Sequence, residues 1–236
     1  MIPKLVTFDC AQTLVQVPDN WTLGQFVVDS AHHIGLNPPE GSAELYQKMY
    51  FQRIGEFLEI NRSRDLDRAV QFWKDLAVDW FGATGLPTNS IEDLRLAADE
   101  LGFGPDSILF QIYDDVIPCL DLLDSMGVRA AVVSNWDYSL HRVLRMFGIY
   151  ERFVVVKASL EEGVEKPDPL LFEIALAAAG FSPEQTFHVG DSYEDDYIGA
   201  KAASIRTCLI DRNLSEPREG TIRSLLELPE AFAWTI

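Results

Sequence analysis

From Tyr113 to Ile210 short apolar runs rich in β-branched residues alternate with stretches of helical spacing. The runs are Val128–Val133, Phe153–Val156, Thr186–Val189 and Arg206–Ile210, the last read as the final strand. Between them Pro118–Met126, Tyr138–Phe147, Pro169–Ala179 and Asp195–Ala203 carry apolar residues at helical intervals, and Gly127, Gly148 and Gly180 follow three of these segments. Strands alternating with helices of about ten residues make βαβ units, and such units build a parallel sheet with right-handed crossovers. A further run of the same kind, Lys4–Phe8, opens the chain and stops abruptly at Asp9. The stretch from Trp21 to about Leu101 is different. Leu23–His33, Ala43–Ile60 and Leu66–Phe81 are aromatic-rich with helical periodicity, interrupted at residues 37–41, 61–65 and 82–89, and no strand is evident. The predicted fold is α/β. A Rossmann-like parallel sheet with helices on both faces is formed by residues 1–14 and 113–236, and an all-helical cap at 15–112 is inserted into it.

In an open parallel sheet, ligands bind beyond the carboxyl ends of the strands. The residues following each run therefore matter most. Asp9-Cys10-Ala11-Gln12-Thr13 follows the first, Ser134-Asn135 the second, and Gly163-Val164-Glu165-Lys166-Pro167 lies beyond the third. Gly190-Asp191-Ser192 with Asp195 and Asp196 follows the fourth. Oxygen ligands from Asp9 and Asp191 suit a hard cation such as Mg²⁺, which retains several waters and shares phosphate oxygens. Ser134 and Lys166 would offer a hydrogen bond and a positive charge to an anionic group. Taken singly, each is an ordinary turn residue, cap or loop lysine. Their common position at one end of the strands is what makes them a site. His188, inside a strand, reads as a satisfied core histidine.

In this order and spacing, Asp9…Thr13-Leu14, Val132-Val133-Ser134-Asn135, Lys166-Pro167-Asp168-Pro169 and Val189-Gly190-Asp191-Ser192 with Asp195/Asp196 resemble the four motifs of the haloacid dehalogenase superfamily. The matching branch has an α-helical cap between its first and second motifs, and the resemblance spans nearly the whole chain. It implies an Mg²⁺-dependent hydrolase acting on a small phosphorylated molecule through an aspartyl-phosphate on Asp9. By the same resemblance Mg²⁺ would be held by Asp9, the Ala11 carbonyl and Asp191. Ser134, Asn135 and Lys166 would bind the phosphoryl group, Thr13 would belong to the catalytic set, and Trp136 would line the site. Asp195 or Asp196, with Ser192, would support these groups from behind.

One position departs from the family pattern. Its phosphatases carry a second Asp two residues after the nucleophile, which protonates the leaving alcohol and then deprotonates the attacking water. Here that residue is Ala11, and Gln12 replaces the usual glycine. Losing a positioned acid/base costs about 10²–10⁴-fold in rate. Three readings follow: a phosphatase for substrates with good leaving groups or with an acid from elsewhere, a carbon–phosphorus hydrolase using a cap lysine (Lys48 or Lys74), or a phosphoryl-binding protein with little turnover. His32, His33, Glu44 and Tyr46 are the cap groups considered as a replacement acid. Tyr50, Phe51, Phe57, Phe72 and Trp73 read as helix packing. Dehalogenation is disfavoured, because the family's dehalogenases lack the metal-binding acid that Asp191 supplies here.

The sequence has 19 Lys+Arg against 37 Asp+Glu, a net charge of −18, which repels nucleic acid and anionic membranes alike. Cys10, Cys119 and Cys208 show no metal-binding spacing and read as reduced thiols, with Cys10 a small buried filler. The apolar run at residues 4–8 is too short for a signal-peptide core. These features are those expected of a cytoplasmic monomer or homodimer.

Overall fold

The structure, a computed structural model, describes residues 2–216, 218–232 and 234. The chain divides into two compact units: residues up to Gln16 with Ile112 onward, and Val17–Gln111.

The second unit is built of α1 (Leu23–His33), α2 (Ser42–Gln52), α3 (Ile54–Ser63), α4 (Leu66–Thr84) and α5 (Ile91–Phe103). Local chemistry sets the ends. The Thr22 and Asp65 side chains cap α1 and α4 by accepting the Gln25 and Arg68 amides, and Gly85 ends α4 at φ +70°. The expected single helix 43–60 is broken at Arg53, where the backbone leaves helical geometry (φ −108°, ψ 12°). Gly55, two residues beyond the break, is the only local mark of it in the sequence, and aromatic packing surrounds the bend. Tyr50 stacks on Trp73 with centroids 5.8 Å apart, Phe57 meets Phe72 at 5.4 Å, and the Arg53 guanidinium lies 4.8 Å over Phe72. The aromatic residues of α2–α4 thus form the packing cluster expected of them. None of the helices among the described residues is long and apolar enough to cross a membrane.

The first unit holds β1 (Leu5–Phe8), β2 (Val15–Gln16), the end of β3 (Gln111–Ile112), β4 (Arg129–Ser134), β5 (Phe153–Ala158), β6 (Thr186–Gly190), β7 (Arg206–Ile210) and β8 (Thr221–Ile222). The main sheet runs β5-β4-β1-β6-β7-β8, and each neighbouring pair is parallel. Its helices include α6 (Val116–Ser125), α7 (Leu140–Met146), α8 (Ser159–Glu162), α9 (Pro169–Ala179) and α10 (Gly199–Ala202). Every residue of β1 and β6 is buried, as both-face coverage of a parallel sheet demands. On one face Leu5, Ala131 and Val133 pack with Leu171, Phe172, Ala175 and Leu176 of α9. Asp168 and Pro169 start α9, and Gly180 stops it at φ +76°.

Three expectations need correction. Arg206–Ile210 is not the last strand, because β8 pairs beside it. Strands β2 and β3 form a small sheet of their own at the two ends of a stretch read as wholly helical. Asp195–Ala203 is not one α-helix: residues Tyr193–Ile198 make a wide π-turn before α10.

Chain order reverses in the sheet at β1, with β4 and β5 to one side and β6, β7 and β8 to the other. The carboxyl ends of β1 and β6 are therefore the topological switch point, where a ligand crevice opens in such sheets.

Candidate active site

Asp9 is the first residue beyond β1. Its amide still donates to the Val189 carbonyl at 2.9 Å, so the sheet ladder fixes its backbone. Its side chain is only 8% exposed. The Lys166 ammonium reaches Asp9 Oδ1 at 2.6 Å, and the Ser134 hydroxyl also hydrogen-bonds to the carboxylate. Lys166 is itself buried, and its Nζ donates at 2.5 Å to Asp196 Oδ1. Ligand oxygens of Asp9, Asp191 and Asp196 all lie within 4.8 Å of one another. Asp191 is the exposed member of the three, and Thr13 Oγ1 donates to its Oδ1 at 3.4 Å.

Of the two acids left open by the sequence, Asp196 belongs to this cluster. The π-turn brings it there. The Asp196 and Tyr197 amides both bond to the Ser192 carbonyl, and the Ser192 amide donates to Asp196 Oδ2 at 3.0 Å. Such wide turns recur at functional sites because they reset the direction of one side chain. The neighbouring Asp195 is tied by its amide to Ser192 Oγ at 3.1 Å and is absent from the three-carboxylate cluster. Gly190 is required beside it, since a Cβ there would occupy the space of the Asp196 carboxyl.

Charge balance within the cluster is uneven. Burial penalises the Asp196 anion, but the Lys166 ammonium and the His188 hydrogen bond outweigh it and hold its carboxyl well below the usual range. Lys166 shows the converse: burial disfavours its charge, and Asp9 and Asp196 overcompensate and raise its pKa. Asp9 is raised by burial and by the Asp196 charge, against the pull of Lys166. Asp191 is pushed up to about 7 by partial burial and by the two neighbouring carboxylates. One lysine thus settles Asp196 and leaves Asp9 and Asp191 short of positive charge. That deficit, with hard oxygen donors spaced this closely, fits a divalent cation such as Mg²⁺. Asp9 and Asp191 are the carboxylates left to hold it, because both oxygens of Asp196 already accept hydrogen bonds.

The remaining candidates fall into place differently. Asn135 uses both ends of its side-chain amide on the Lys166 backbone, accepting from the amide at 2.8 Å and donating to the carbonyl at 2.9 Å. Its side chain positions the lysine, where direct contact with a phosphoryl group was expected. The Trp136 indole is half-buried and donates to Ser139 Oγ at 2.9 Å. Ala11 sits half-buried in a tight turn, bridged to Val15. Within their own unit His32, His33, Glu44, Lys48 and Lys74 are exposed, while Tyr46 is buried edge-on against Trp80. Cys10, Cys119 and Cys208 are free and buried.

Two contributors escaped the sequence reading. His188 is fully buried, as expected, but its Nε2 lies 3.1 Å from Asp196 Oδ1 and its Nδ1 2.9 Å from Thr7 Oγ1. With Asp196 ionised, Nε2 carries the proton and Nδ1 accepts from Thr7. The available signal was strand register: Thr7 of β1 faces His188 of β6, two polar residues in buried strands just ahead of the acids. The other is Arg212, beyond β7, whose Nη2 donates to the Thr13 carbonyl at 2.6 Å.

The chain is similar to known proteins in both sequence and fold. The family model for haloacid dehalogenase-like hydrolases matches residues 3–204. The haloacid dehalogenase-like hydrolase domain-containing protein 3 of Bos taurus is 33% identical over 211 residues, covering 88% of this chain and 81% of that protein. Its Danio rerio namesake is 28% identical over 96% of this chain and 95% of its own length. A phosphoserine phosphatase of Thermus thermophilus is 39% identical over 109 residues, 45% of this chain and 44% of its own. Among solved structures, a 2-haloacid dehalogenase from Pseudomonas syringae superposes with TM-score 0.60 at 23% identity, with all of both chains covered. A HAD phosphatase from Thermococcus onnurineus does so with TM-score 0.58 at 21% identity, covering 97% of each chain. At those identities the structural likeness speaks for the fold.

Proposed function

The chain belongs to the haloacid dehalogenase-like hydrolases, and from that premise we propose that it is an Mg²⁺-dependent phosphatase for small substrates with good leaving groups, working through an aspartyl-phosphate on Asp9. The observation that carries this reading is the buried Asp9 carboxylate, held at 2.6 Å by Lys166 and clustered with Asp191 and Asp196. Relatives named as phosphoserine phosphatase and glyceraldehyde 3-phosphate phosphatase, each matching 45% of this chain, support phosphate ester chemistry. When bound, Mg²⁺ supplies charge neutralisation between an anionic nucleophile and an anionic phosphate. Asp9, Asp191 and the Ala11 carbonyl are the proposed ligands.

The chain's own residues do the rest. Lys166 and Ser134 orient the Asp9 carboxylate, which attacks phosphorus as the oxygen–phosphorus bond to the leaving group breaks. Asp196, held by His188 and the Ser192 amide, keeps Lys166 charged and aimed at that centre. Water then releases phosphate and regenerates the carboxylate. Ala11 has no proton to give, so a leaving group that departs as a stable anion is the one favoured. Acyl and aryl phosphates qualify. The solvent-exposed positions of Lys48 and Lys74 withhold the desolvation that a Schiff-base amine requires, and phosphonate cleavage loses support accordingly.

The reading is tested by steady-state hydrolysis of an aryl phosphate and an alkyl phosphate with and without Mg²⁺. Aryl phosphate turnover is expected only with the metal, and it should weaken below pH 7 as Asp191 takes up a proton that the ion must displace. Ala11→Asp, alone or with Gln12→Gly, should raise alkyl phosphate hydrolysis by up to about 10²-fold. A folded double variant that binds Mg²⁺ and hydrolyses neither substrate would favour a phosphoryl-binding protein.

A further inference from the structure

Gln12 stands in the left-handed region at φ +56°. That conformation crowds the Cβ of an L-residue against its own backbone, a strain glycine escapes. It lies inside the turn that presents Asp9 and Ala11, closed by the Gln12 amide on the Val15 carbonyl at 2.7 Å and by the Leu14 and Val15 amides on the Cys10 carbonyl, each at 2.9 Å. Three groups from distant sequence grip this turn from outside. The Tyr113 hydroxyl donates to Gln12 Oε1 at 3.1 Å, and the Tyr113 amide to the Leu14 carbonyl at 3.2 Å. Arg212 lies 3.6 Å over the Tyr113 ring and donates through Nη2 to the Thr13 carbonyl at 2.6 Å.

Arg212 is itself locked. Its Nη1 and Nη2 donate to the two oxygens of Asp115 at 3.0 and 3.1 Å, and Asp115 also accepts from Ser224 Oγ at 2.7 Å and the Leu225 amide at 2.9 Å. A planar fork held by a carboxylate has little freedom left, so its remaining contact on Thr13 is pre-organised. The gripped segment is also the one whose Thr13 hydroxyl meets Asp191.

We propose that Tyr113 and Arg212 form a clamp that takes over the work of a glycine at position 12. They hold a left-handed glutamine in place and thereby set the position of the nucleophile turn relative to Asp191. Both are positioning residues, acting through Gln12 and Thr13. The part of this proposal that concerns the metal rests on the function proposed above; the part that concerns the turn does not.

The test is a double-mutant cycle of Tyr113→Phe with Gln12→Gly. Tyr113→Phe keeps the ring under Arg212 and deletes only the hydroxyl, so the fold should be retained, and a melting curve checks this. The readouts are amide exchange of residues 11–15, Mg²⁺ affinity by titration with the metal alone, and the separate kcat and KM on an aryl phosphate. In the Gln12 chain, Tyr113→Phe should speed exchange and weaken Mg²⁺ binding by about 5-fold each, the worth of one hydrogen bond. The kcat should fall with them while KM for the aryl phosphate changes little. In the Gln12→Gly chain the same substitution should change each readout by less than about twofold, since glycine rests at positive φ without help. Arg212→Lys, which keeps the charge beside Asp115 and loses the fork, should likewise speed exchange in the Gln12 chain. Equal effects of Tyr113→Phe in both backgrounds, or no effect on exchange in the Gln12 chain, would overturn the clamp. If the unmodified chain neither binds Mg²⁺ nor turns over, the proposed function fails, and the exchange data still decide the clamp.

Discussion

Asp9→Asn is expected to lower Mg²⁺-dependent aryl phosphatase activity by about 10³-fold or more, the scale on which loss of a covalent nucleophile falls. It should do so without unfolding the chain. Asn is isosteric with Asp, and the change removes one negative charge from a site where burial and neighbouring carboxylates disfavour the Asp9 and Asp191 anions. Lys166 keeps its bond to Asp196. Melting temperature without metal should therefore hold or rise, while Mg²⁺ affinity falls with the loss of a ligand. Parallel loss of activity and of folded protein would point to a structural role for Asp9.

The second large effect is expected at Lys166, and it separates stability from catalysis in the opposite way. Lys166→Met keeps much of the buried volume and removes the ammonium that pairs with Asp9 and Asp196. Breaking a buried ion pair from one side costs about 3–5 kcal/mol, because the partner charges stay behind. For a chain of this length that amounts to a fall in melting temperature of roughly 6–20 °C in the absence of metal. The pH dependence carries the sign. Without Lys166, burial and the neighbouring carboxylates hold the folded-state pKa of Asp9 above its unfolded value, while His188 still pulls that of Asp196 down. At Asp9 the folded state then binds more protons than the unfolded, so that site's contribution to stability is full below the unfolded carboxylate pKa and is lost as pH rises through the folded value. Mg²⁺ should restore part of the loss by supplying the missing positive charge. Thermal melts across pH, with and without the ion, check all three statements. A variant as stable as the unmodified chain at neutral pH would mean that the three carboxylates are not electrostatically coupled through Lys166.

Three parts of this site that were legible in the sequence follow from strand periodicity, while Lys166, well beyond the end of β5, was legible only through the motif around it. Asp9, Ser134 and Asp191 lie at or just beyond the carboxyl ends of β1, β4 and β6, where an apolar run stops on a polar residue. Choosing between Asp195 and Asp196 was beyond that reading, since an α-helical turn and a π-turn place successive residues on different faces and nothing local announces the wider one. Asn135 was legible as a site residue and not as a brace for Lys166, a contact made across 31 residues of sequence. Arg212 lies 199 residues from the carbonyl it holds and 97 from Asp115, too far for any periodicity to connect. The break at Arg53 was hidden for a different reason. Tyr50, Phe57, Phe72 and Trp73 pack around it across separate helices, and the single Gly55 nearby is compatible with either a break or a continuous helix.

The fold itself was readable because both faces of the sheet must be covered, which forces continuous apolar strands, and because glycine suits the left-handed geometry that ends helices. The two-residue strands β2, β3 and β8 were invisible for the same physical reason in reverse: two residues have no period.

Covalent capture of Asp9 tests the central claim most directly. The chain is mixed with Mg²⁺ and an aryl phosphate, quenched in acid within the first turnover and mapped by peptide mass. Ala11 offers no base to the second step, so the phosphoryl-enzyme should accumulate, with release of aryl alcohol showing a burst that approaches one equivalent of chain. One phosphoryl group on Asp9, absent in Asp9→Asn and absent without Mg²⁺, is the expected result. Turnover with no phosphoryl group on Asp9, or with the label on another residue, would contradict it.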